Sequence, residues 1–251
     1  EIEILKKGTE MNSYKVLTHI HTKYSHDSIL PFFLLYNKCI KQGIQYIAIT
    51  EHNNIRGAQE FQAYCKKRGN KLKVILGEEI MTTGGEIIGL YIHDNIPAMC
   101  SPAETVRMIK DQGGVVYVPH PYDEKRYKTV LKEKYICELK DQIDCIECHN
   151  GRNISERYDE EQRHIAEKYE IPKVIGADAH TYFEVGRNYM EMEFSPDNRE
   201  NFLKALQSVT LFPVPCMPFC HHLTRIDRIV QFLLKGDFHG LFRTIAKKFA
   251  H

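Results

Sequence analysis

The chain has 251 residues, enough for one large domain or two small ones around a buried core. Its 34 basic and 33 acidic residues nearly balance, which argues against a protein that coats nucleic acid through a strong positive field. Eight cysteines are scattered without a dense framework, and no apolar run reaches the roughly 20 residues that span a bilayer. We therefore expect reduced cysteines and a cytoplasmic location.

Short apolar runs alternate with helix signals along most of the chain. We predict strands over Lys15–Thr18, Tyr46–Thr50, Lys73–Leu76, Glu86–Ile92, Val115–Val118, Cys145–Cys148 and Lys173–Ile175. We predict helices over Phe32–Gln42, Ile55–Arg68, Pro102–Gln112, Tyr127–Lys140 and Ser155–Tyr169. Proline in the first turn and glycine just past the end, as at Pro31 and Gly43, are typical helix boundaries. Alternating strands and helices indicate a parallel sheet with helices outside.

Histidines and acidic residues follow these predicted strands repeatedly. They are His19, His21, His52, Glu79, His120, His149, Asp178 and His180. In alternating α/β folds, function gathers at the carboxyl ends of the strands. A closed barrel brings these ends together better than an open sheet does. No glycine signature of a dinucleotide fold or a phosphate loop occurs.

The segment His19-Ile20-His21 has the spacing of a metal-binding pair. Two histidines separated by one residue point the same way on a strand, and Asp27 follows from the next loop. Two imidazoles and an oxygen ligand suit a borderline divalent metal such as Zn, Mn or Fe. The alternative is a chance pair in a chain with 13 histidines.

Four motifs, taken in order, resemble those of the polymerase and histidinol phosphatase (PHP) domain. The motifs are His19-x-His21 with Ser25 and Asp27, then Thr50-Glu51-His52, then Pro119-His120-Pro121, then Asp178-Ala179-His180. The strand end at Glu79 matches the bridging glutamate of that family. The resemblance extends from about Val16 to Met192. It implies an α/β fold, a distorted (βα)7 TIM-like barrel, which we assign to residues 1–212.

The resemblance also implies a centre of two or three divalent metal ions, with Mn, Zn or Fe as candidates. It assigns the first metal to His19, His21, Glu79 and Asp178. It assigns the second metal to Asp27, His52 and His180. Glu79 would bridge to a third position that includes His120.

Two features depart from the family pattern. Many members carry a further histidine on the strand after the glutamate, but Glu86–Leu90 contains none, which leaves the third metal position open. His149 is the candidate that could complete this position, and it is otherwise expected to contact substrate. Glu51 stands where the family usually has aspartate.

Several residues are candidates for catalysis or for support of the site. Asp178, His120 and His180 are the catalytic candidates, with either histidine as the acid that protonates the leaving group. Ser25, Glu51 and Glu78 are candidates to orient the imidazoles.

Two arginines could bind the phosphate of a substrate. Arg152 and Arg187 lie on loops near the predicted site, and a guanidinium can grip a phosphate with two hydrogen bonds. The alternative for each is a solvated surface position or a structural salt bridge.

Residues 213–251 form a predicted helical appendage with its own character. Three prolines open it, and two amphipathic helices follow over Leu223–Lys235 and Phe238–Phe249, separated at Gly236. Six basic residues stand against two acidic ones in this segment. Such helices could contact a membrane or a protein surface, or could pack on the barrel as a cap.

These features predict a hydrolase that cleaves a small phosphate ester, because clustered divalent metals neutralise phosphate charge and activate water. A nucleotide or short oligonucleotide is the favoured substrate on family analogy, with histidinol phosphate or a sugar phosphate as the alternative. No stable binding of long nucleic acid is expected. The rival interpretations are a non-catalytic metal-binding module and a hydrolase of C–N bonds. Retention of the whole ligand set favours catalysis.

Overall fold

Strands and helices alternate along most of the computed structural model, which describes residues 13–237. The strands are β1 (Tyr14–Ile20), β2 (Tyr46–His52), β3 (Lys73–Thr82), β4 (Gly85–Leu90), β5 (Val115–Val118), β6 (Cys145–Asn150), β7 (Lys173–Gly176), β8 (Tyr189–Met192) and β9 (Thr210–Phe212). The helices are α1 (Phe32–Lys41), α2 (Arg56–Lys66), α3 (Pro102–Asp111), α4 (Glu133–Leu139), α5 (Glu156–Lys168), α6 (Arg199–Ala205) and α7 (Pro218–Lys235).

The first seven strands curl into a nearly closed barrel. They are hydrogen-bonded in the order β7-β6-β5-β4-β3-β2-β1. The chain just beyond β7 then returns to β1, where Ile20 and Ala179 form a parallel bridge. The amide of His21 donates to the Ala179 carbonyl at 2.9 Å, and the amide of Ala177 donates to the Thr18 carbonyl at 3.0 Å. The predicted α/β TIM-like barrel is confirmed.

The sheet is mixed rather than wholly parallel, which corrects the sequence-based expectation. β4 pairs antiparallel with β3 on one side and with β5 on the other. The reason is the connection from β3 to β4, which is only a tight turn, whereas a parallel crossover needs a dozen or more residues. Gly85 has φ +129°, and a side chain there would collide with the backbone of Leu131. Glycine is therefore the residue that fits this turn without strain or collision.

The chain after β7 adds elements that the sequence analysis did not predict. β8 pairs antiparallel with β1, and β9 pairs antiparallel with β8, so the sheet extends outward from β1.

The helix predicted over Tyr127–Lys140 is limited to α4, after a short 3-10 turn at Glu124–Arg126. β9 ends at Phe212, and α7 begins a few residues later.

α7 packs against the mouth of the barrel. It begins at Pro218, five residues before the predicted start, and ends at Lys235, just before Gly236, which has φ +67°. The second helix predicted in the appendage, Phe238–Phe249, lies outside the described residues. Among residues 13–237, none of the helices combines the length and apolar character that crossing a bilayer requires.

Strand alternation decides which side chains enter the barrel. In β3, Glu79 points toward the interior, and its neighbour Glu78 points toward the outer layer, where it meets the backbone of Ile96. The outward positions pack under the helices, as Ile80 and Ile87 do against Val106 of α3. The apolar layers thus hold the strands in place, and the strand ends are left to carry polar groups.

Candidate metal centre

Most of the candidate ligands lie where the strands end and the backbone turns away, whereas Glu79 lies within β3, which extends beyond its predicted end to Thr82. Three of them have a positive φ angle that is rare for residues other than glycine: His19 (63°), His120 (27°) and Asp178 (47°). Such backbone geometry costs about 1–3 kcal/mol and is concentrated at functional sites. These positions therefore point independently to the same site as the sequence motifs.

The first predicted ligand set comes together around the carboxylate of Glu79. Its two oxygens lie 3.2 Å from Nε2 of His19 and 3.4 Å from Nε2 of His21. Oδ1 of Asp178 lies 3.6 Å and 3.7 Å from the same two nitrogens. Each of these four side chains is at most 2% exposed. All four can therefore face one cation.

The second predicted set lies beside the first. Oδ1 of Asp27 is 3.4 Å from Nε2 of His52 and 3.4 Å from Nε2 of His180. The rings of His52 and His180 both lie near that of His21, with stacked centroids 4.4 Å and 4.2 Å from it. Nδ1 of His180 donates to the carbonyl oxygen of Asp178 at 2.9 Å, which leaves Nε2 as its ligand atom.

A third position contains an acid that the sequence analysis missed. Nε2 of His120 lies 3.1 Å from Oε1 of Glu79 and 3.5 Å from Oε2 of Glu86 on β4. Nδ1 of His52 is 2.9 Å from Glu79 and 3.9 Å from Glu86. Glu86 pairs across the sheet with Met81, two residues beyond Glu79 and on the same face. The carboxylate of Glu86 on β4 thus lies where the family pattern predicts a histidine.

The sequence around Glu86 contains a pattern that predicts a buried acid. It opens an otherwise apolar strand, Glu86-Ile87-Ile88, directly after two glycines. Period-two alternation with Ile88 and Leu90 places it on the face opposite to Ile87, and the side chain is 6% exposed. A buried acid in such a strand needs a partner, so it could have been predicted as a ligand.

Unpaired buried atoms show that these residues fit a metal centre. Within residues 13–237, no hydrogen-bond partner is found for Nε2 of His19, Nε2 of His21, Oδ1 of Asp27 or Oε2 of Glu79. A buried polar atom without a partner costs about 1–3 kcal/mol. Lone pairs of imidazole and carboxylate that converge in this way are the donors that Zn, Mn and Fe accept.

Glu147 fixes the orientation of His19. Its Oε1 accepts from Nδ1 of His19 at 2.7 Å, and its Oε2 accepts from the amide of His120 at 2.7 Å. Tyr117 donates to the same carboxylate at 2.7 Å. Nδ1 of His19 therefore carries the proton, and Nε2 keeps its lone pair for a metal. A side chain on Gly176 would occupy the space of this carboxylate.

Ser25 and Glu51 support His21, as the sequence predicted. The Ser25 hydroxyl accepts from Nδ1 of His21 at 3.0 Å and donates to Glu51 at 2.5 Å. Glu51 also accepts from the amide of Thr22 at 3.0 Å. Glu78, the third predicted support, faces away from the centre and accepts from the amide of Ile96 at 3.0 Å. That prediction is wrong because adjacent strand residues face opposite sides.

Burial and charge shift the pKa values of the acids at the centre in different directions. Burial alone would raise the pKa values of Glu79 and Asp178, but the charges of His19 and other neighbours outweigh it and hold both well below their usual values. Burial, reinforced by the charge of Glu79, raises the pKa of Glu86 to about 7. Burial lowers the pKa values of His19 and His52, but the charges of neighbouring carboxylates outweigh it and hold both well above the usual value. Without metal, protonated imidazoles therefore balance the carboxylates, and a bound cation would take the place of their protons.

His149 does not join the ligands. Its Nδ1 lies 3.0 Å from Oδ2 of Asp159, and its Nε2 lies 3.0 Å from Oδ1 of Asn188. Both ring nitrogens are therefore occupied by neighbours on α5 and on the chain before β8. These contacts oppose the predicted ligand and substrate roles, and Glu86 lies at the third position instead.

The two arginines predicted to bind phosphate hold other parts of the chain. Arg152 is 7% exposed and pairs with Glu184 at 3.1 Å and with Thr224 of α7 at 3.0 Å. Arg187 donates to the carbonyl oxygen of Pro215 at 3.1 Å. Of the alternatives given above, the structure favours the structural role for both.

Two other arginines lie at the centre, and the sequence analysis did not assign them there. Arg126, on the 3-10 turn, donates to Oδ2 of Asp178 at 2.6 Å and to Asp123 at 2.8 Å. Arg228, on α7, donates to Oδ2 of Asp27 at 3.0 Å. Each arginine thus holds the outer oxygen of a ligand carboxylate, and the other oxygen faces the imidazoles. Nothing in the local sequence around Arg126 reveals this contact.

Comparison with known proteins agrees with the fold and the motifs. The profile of the PHP domain matches residues 18–206. An uncharacterized protein of Methanocaldococcus jannaschii is 45% identical over 114 residues, which are 41% of this chain and 66% of that protein. A second uncharacterized protein of the same organism is 32% identical over 202 residues, covering 76% of this chain and 79% of its own length.

A solved structure shows the same fold at low identity. A two-domain protein of Bacteroides vulgatus that contains a predicted PHP-like metal-dependent phosphoesterase superposes with a TM-score of 0.65 and 17% identity. The match covers 80% of this chain and 65% of that chain. With the barrel, the strand-end ligands and the matched profile together, the chain belongs to the PHP domain family.

Proposed function

We propose that this protein is a metal-dependent phosphoesterase, in which two or three divalent ions activate water for attack on a phosphate ester. The observation that carries the proposal is the convergence of several candidate ligand groups around Glu79. They include His19 with His21 and Asp178, His21 with His52 and His180, His19 with Glu79 and His120, and His52 with Glu79 and Glu86. When bound, such ions neutralise the phosphate oxygens and lower the pKa of a bound water toward about 7.

The protein residues set the geometry for that chemistry. The carboxylate of Glu79 would help to hold the metal ions, because it lies within 3.4 Å of ring nitrogens of His19, His21, His52 and His120. Glu147 and Ser25 fix the tautomers of His19 and His21, so their Nε2 atoms face inward without a proton. These supports reduce the reorganisation that binding and reaction would otherwise require.

Contacts discriminate between the two candidates for the acid that protonates the leaving group. His180 donates its Nδ1 proton to a backbone carbonyl and turns Nε2 toward Asp27, which suits a ligand. Nδ1 of His120 is buried and has no hydrogen-bond partner within the described residues. We therefore favour His120 over His180 for a role in proton transfer.

A small phosphate ester is the proposed substrate, with a nucleotide or short oligonucleotide favoured and histidinol phosphate or a sugar phosphate as the alternative. Arg126 supports an anionic substrate, because it is partly exposed and lies beside the ligand Asp178. Its planar guanidinium can bind a phosphate oxygen while it still contacts the carboxylate.

The test measures metal content and phosphate release together. Protein reconstituted with Mn, Zn or Fe is assayed on mononucleotides, dinucleotides, sugar phosphates and histidinol phosphate. Asp178→Asn removes a ligand charge, and Asp197→Asn is the matched control, because Asp197 pairs with Lys73 on the surface. We expect turnover to be lost only in Asp178→Asn. Full metal loading without turnover on every substrate would instead support a non-catalytic metal-binding module.

A further inference from the structure

α7 turns its polar face toward the barrel. The buried positions share one face of the helix, and they are Cys220, Thr224, Asp227 and Gln231. Gln231 donates to the carbonyl oxygens of Lys23 at 2.9 Å and Ser28 at 2.7 Å. A helix that stabilises a core buries its apolar stripe instead. α7 therefore leaves part of its apolar surface uncovered by the barrel.

Several apolar side chains of α7 face outward, whereas Leu223, Ile229, Val230 and Phe232 are half-buried. Ile226 is 55% exposed, Leu233 is 53% exposed and Leu234 is 76% exposed. At the start of the helix, the ring of Phe219 lies 5.4 Å from that of Phe183, which is also exposed. We call these five side chains the apolar face of α7. Phe219, Ile226 and Leu233 are spaced seven residues apart and so share one side of the helix, and exposed apolar side chains grouped in this way mark an interaction surface.

The charges around this face indicate what covers it. α7 contains one acidic residue, Asp227, and it is turned toward the barrel. Arg225, next to Ile226, is exposed. Asp237 follows the helix, and residues 238–251 contain three lysines or arginines and no acid. A second copy of this chain, or residues 238–251 folded back, would bring more positive charge to the face. An anionic surface complements it.

We propose that the apolar face of α7 docks on the surface of a bilayer that contains anionic lipid. The helix of 18 residues would lie in the interface along about 27 Å. Its apolar side chains would enter the boundary between headgroups and acyl chains, and Arg225 would meet the lipid phosphates. The polar side of α7 would stay packed against the barrel and would not face water. This inference does not depend on the proposed function.

The experiment measures sedimentation of the full-length, metal-loaded protein with vesicles. One set contains phosphatidylcholine alone, and the other also contains phosphatidylglycerol. We expect binding to the anionic vesicles and a loss of at least about tenfold in Ile226→Ser/Leu233→Ser. Arg225→Gln should lose about fivefold on anionic vesicles only. Met99→Ser is the matched control, since Met99 is exposed on the connection between β4 and α3.

Thermal unfolding and metal content show whether the variants fold, and neither should change because the substituted side chains are exposed. The proposal is overturned if the wild-type protein does not bind anionic vesicles, or if the double variant binds them equally well. A wild-type dimer that the double variant dissociates, seen by light scattering without vesicle binding, assigns the face to a second copy. A lower thermal midpoint of the double variant without vesicle binding assigns it to residues 238–251.

Discussion

Replacement of Arg152 by methionine is expected to destabilise the protein rather than to weaken substrate binding. Arg152 and Glu184 are 7% and 6% exposed, and their atoms Nη1 and Oε1 are 3.1 Å apart. Breaking a buried ion pair costs about 3–5 kcal/mol, because the remaining charge is left uncompensated. The other oxygen of Glu184 keeps the amides of His180 and Thr181 as donors, at 3.1 Å and 2.9 Å. We therefore expect the lower end of the range, about 3 kcal/mol.

The same arginine also joins α7 to the barrel, so its loss should have a local effect. Arg152 donates to Thr224, and it donates from Nη2 to Nδ1 of His221 at 3.2 Å. In return, Nε2 of His221 donates to the Arg152 carbonyl oxygen at 3.1 Å. Limited proteolysis should cut α7 faster in Arg152→Met than in the wild-type protein.

Urea unfolding of a double-mutant cycle separates the ion pair from other effects. In Arg152→Met/Glu184→Gln the buried charge is absent, so we expect roughly 2 kcal/mol of the loss to be recovered. The reasoning is refuted if Arg152→Met unfolds at the wild-type urea concentration and its KM for substrate is raised. That result would restore the substrate role that the sequence suggested for Arg152.

Further predictions concern the supports of the centre, a buried acid and the metals. Glu147→Gln should lower metal affinity about 10–100-fold, measured by competition with a chelating dye, whereas Glu133→Gln, in a surface salt bridge with Lys168, should not. Burial raises the pKa of Glu78 to about 7, so the folded state holds a proton that the unfolded state releases above about 4.5. The protein should lose stability between these pH values, and Glu78→Gln should remove up to about 3 kcal/mol of that loss in urea unfolding at pH 8 relative to pH 5. Removal of metal with a chelator should lower the thermal midpoint, and Mn should restore it, because the negative charges of the ligands are then compensated. Gly176→Ala should destabilise the protein by at least 1 kcal/mol in the same urea assay and lower its metal content, since a methyl group there displaces Glu147.

The ligands at strand ends could be predicted from the sequence because strand periodicity is local. His19 and His21 share a face whatever the rest of the fold does, and the apolar run before His52 requires a buried strand. The resemblance then placed Glu79 and Asp178 in the same centre. These inferences need only short stretches of sequence and one known order of motifs.

The contacts that were missed or misassigned are set by residues far away in the chain. Arg126 meets Asp178, and Arg152 meets Glu184 and Thr224, and in each case the partner belongs to an element distant in sequence. A single arginine on a loop has the same local pattern whether it binds phosphate or a buried carboxylate. Glu86 was missed for a different reason. The family pattern has a histidine on this strand, and the acid was not considered in its place.

Asp27 connects two parts of the protein that lie far apart in the sequence. One of its oxygens faces His52 and His180, and the other accepts from Arg228 of α7. The occupancy of the metal centre and the position of α7 therefore act on the same carboxylate. If the packing of α7 on the barrel changes the affinity for metal by some factor, metal binding changes the equilibrium of that packing by the same factor, because the two are thermodynamically linked. Metal binding and the packing of α7 on the barrel are thus linked by a single coupling free energy.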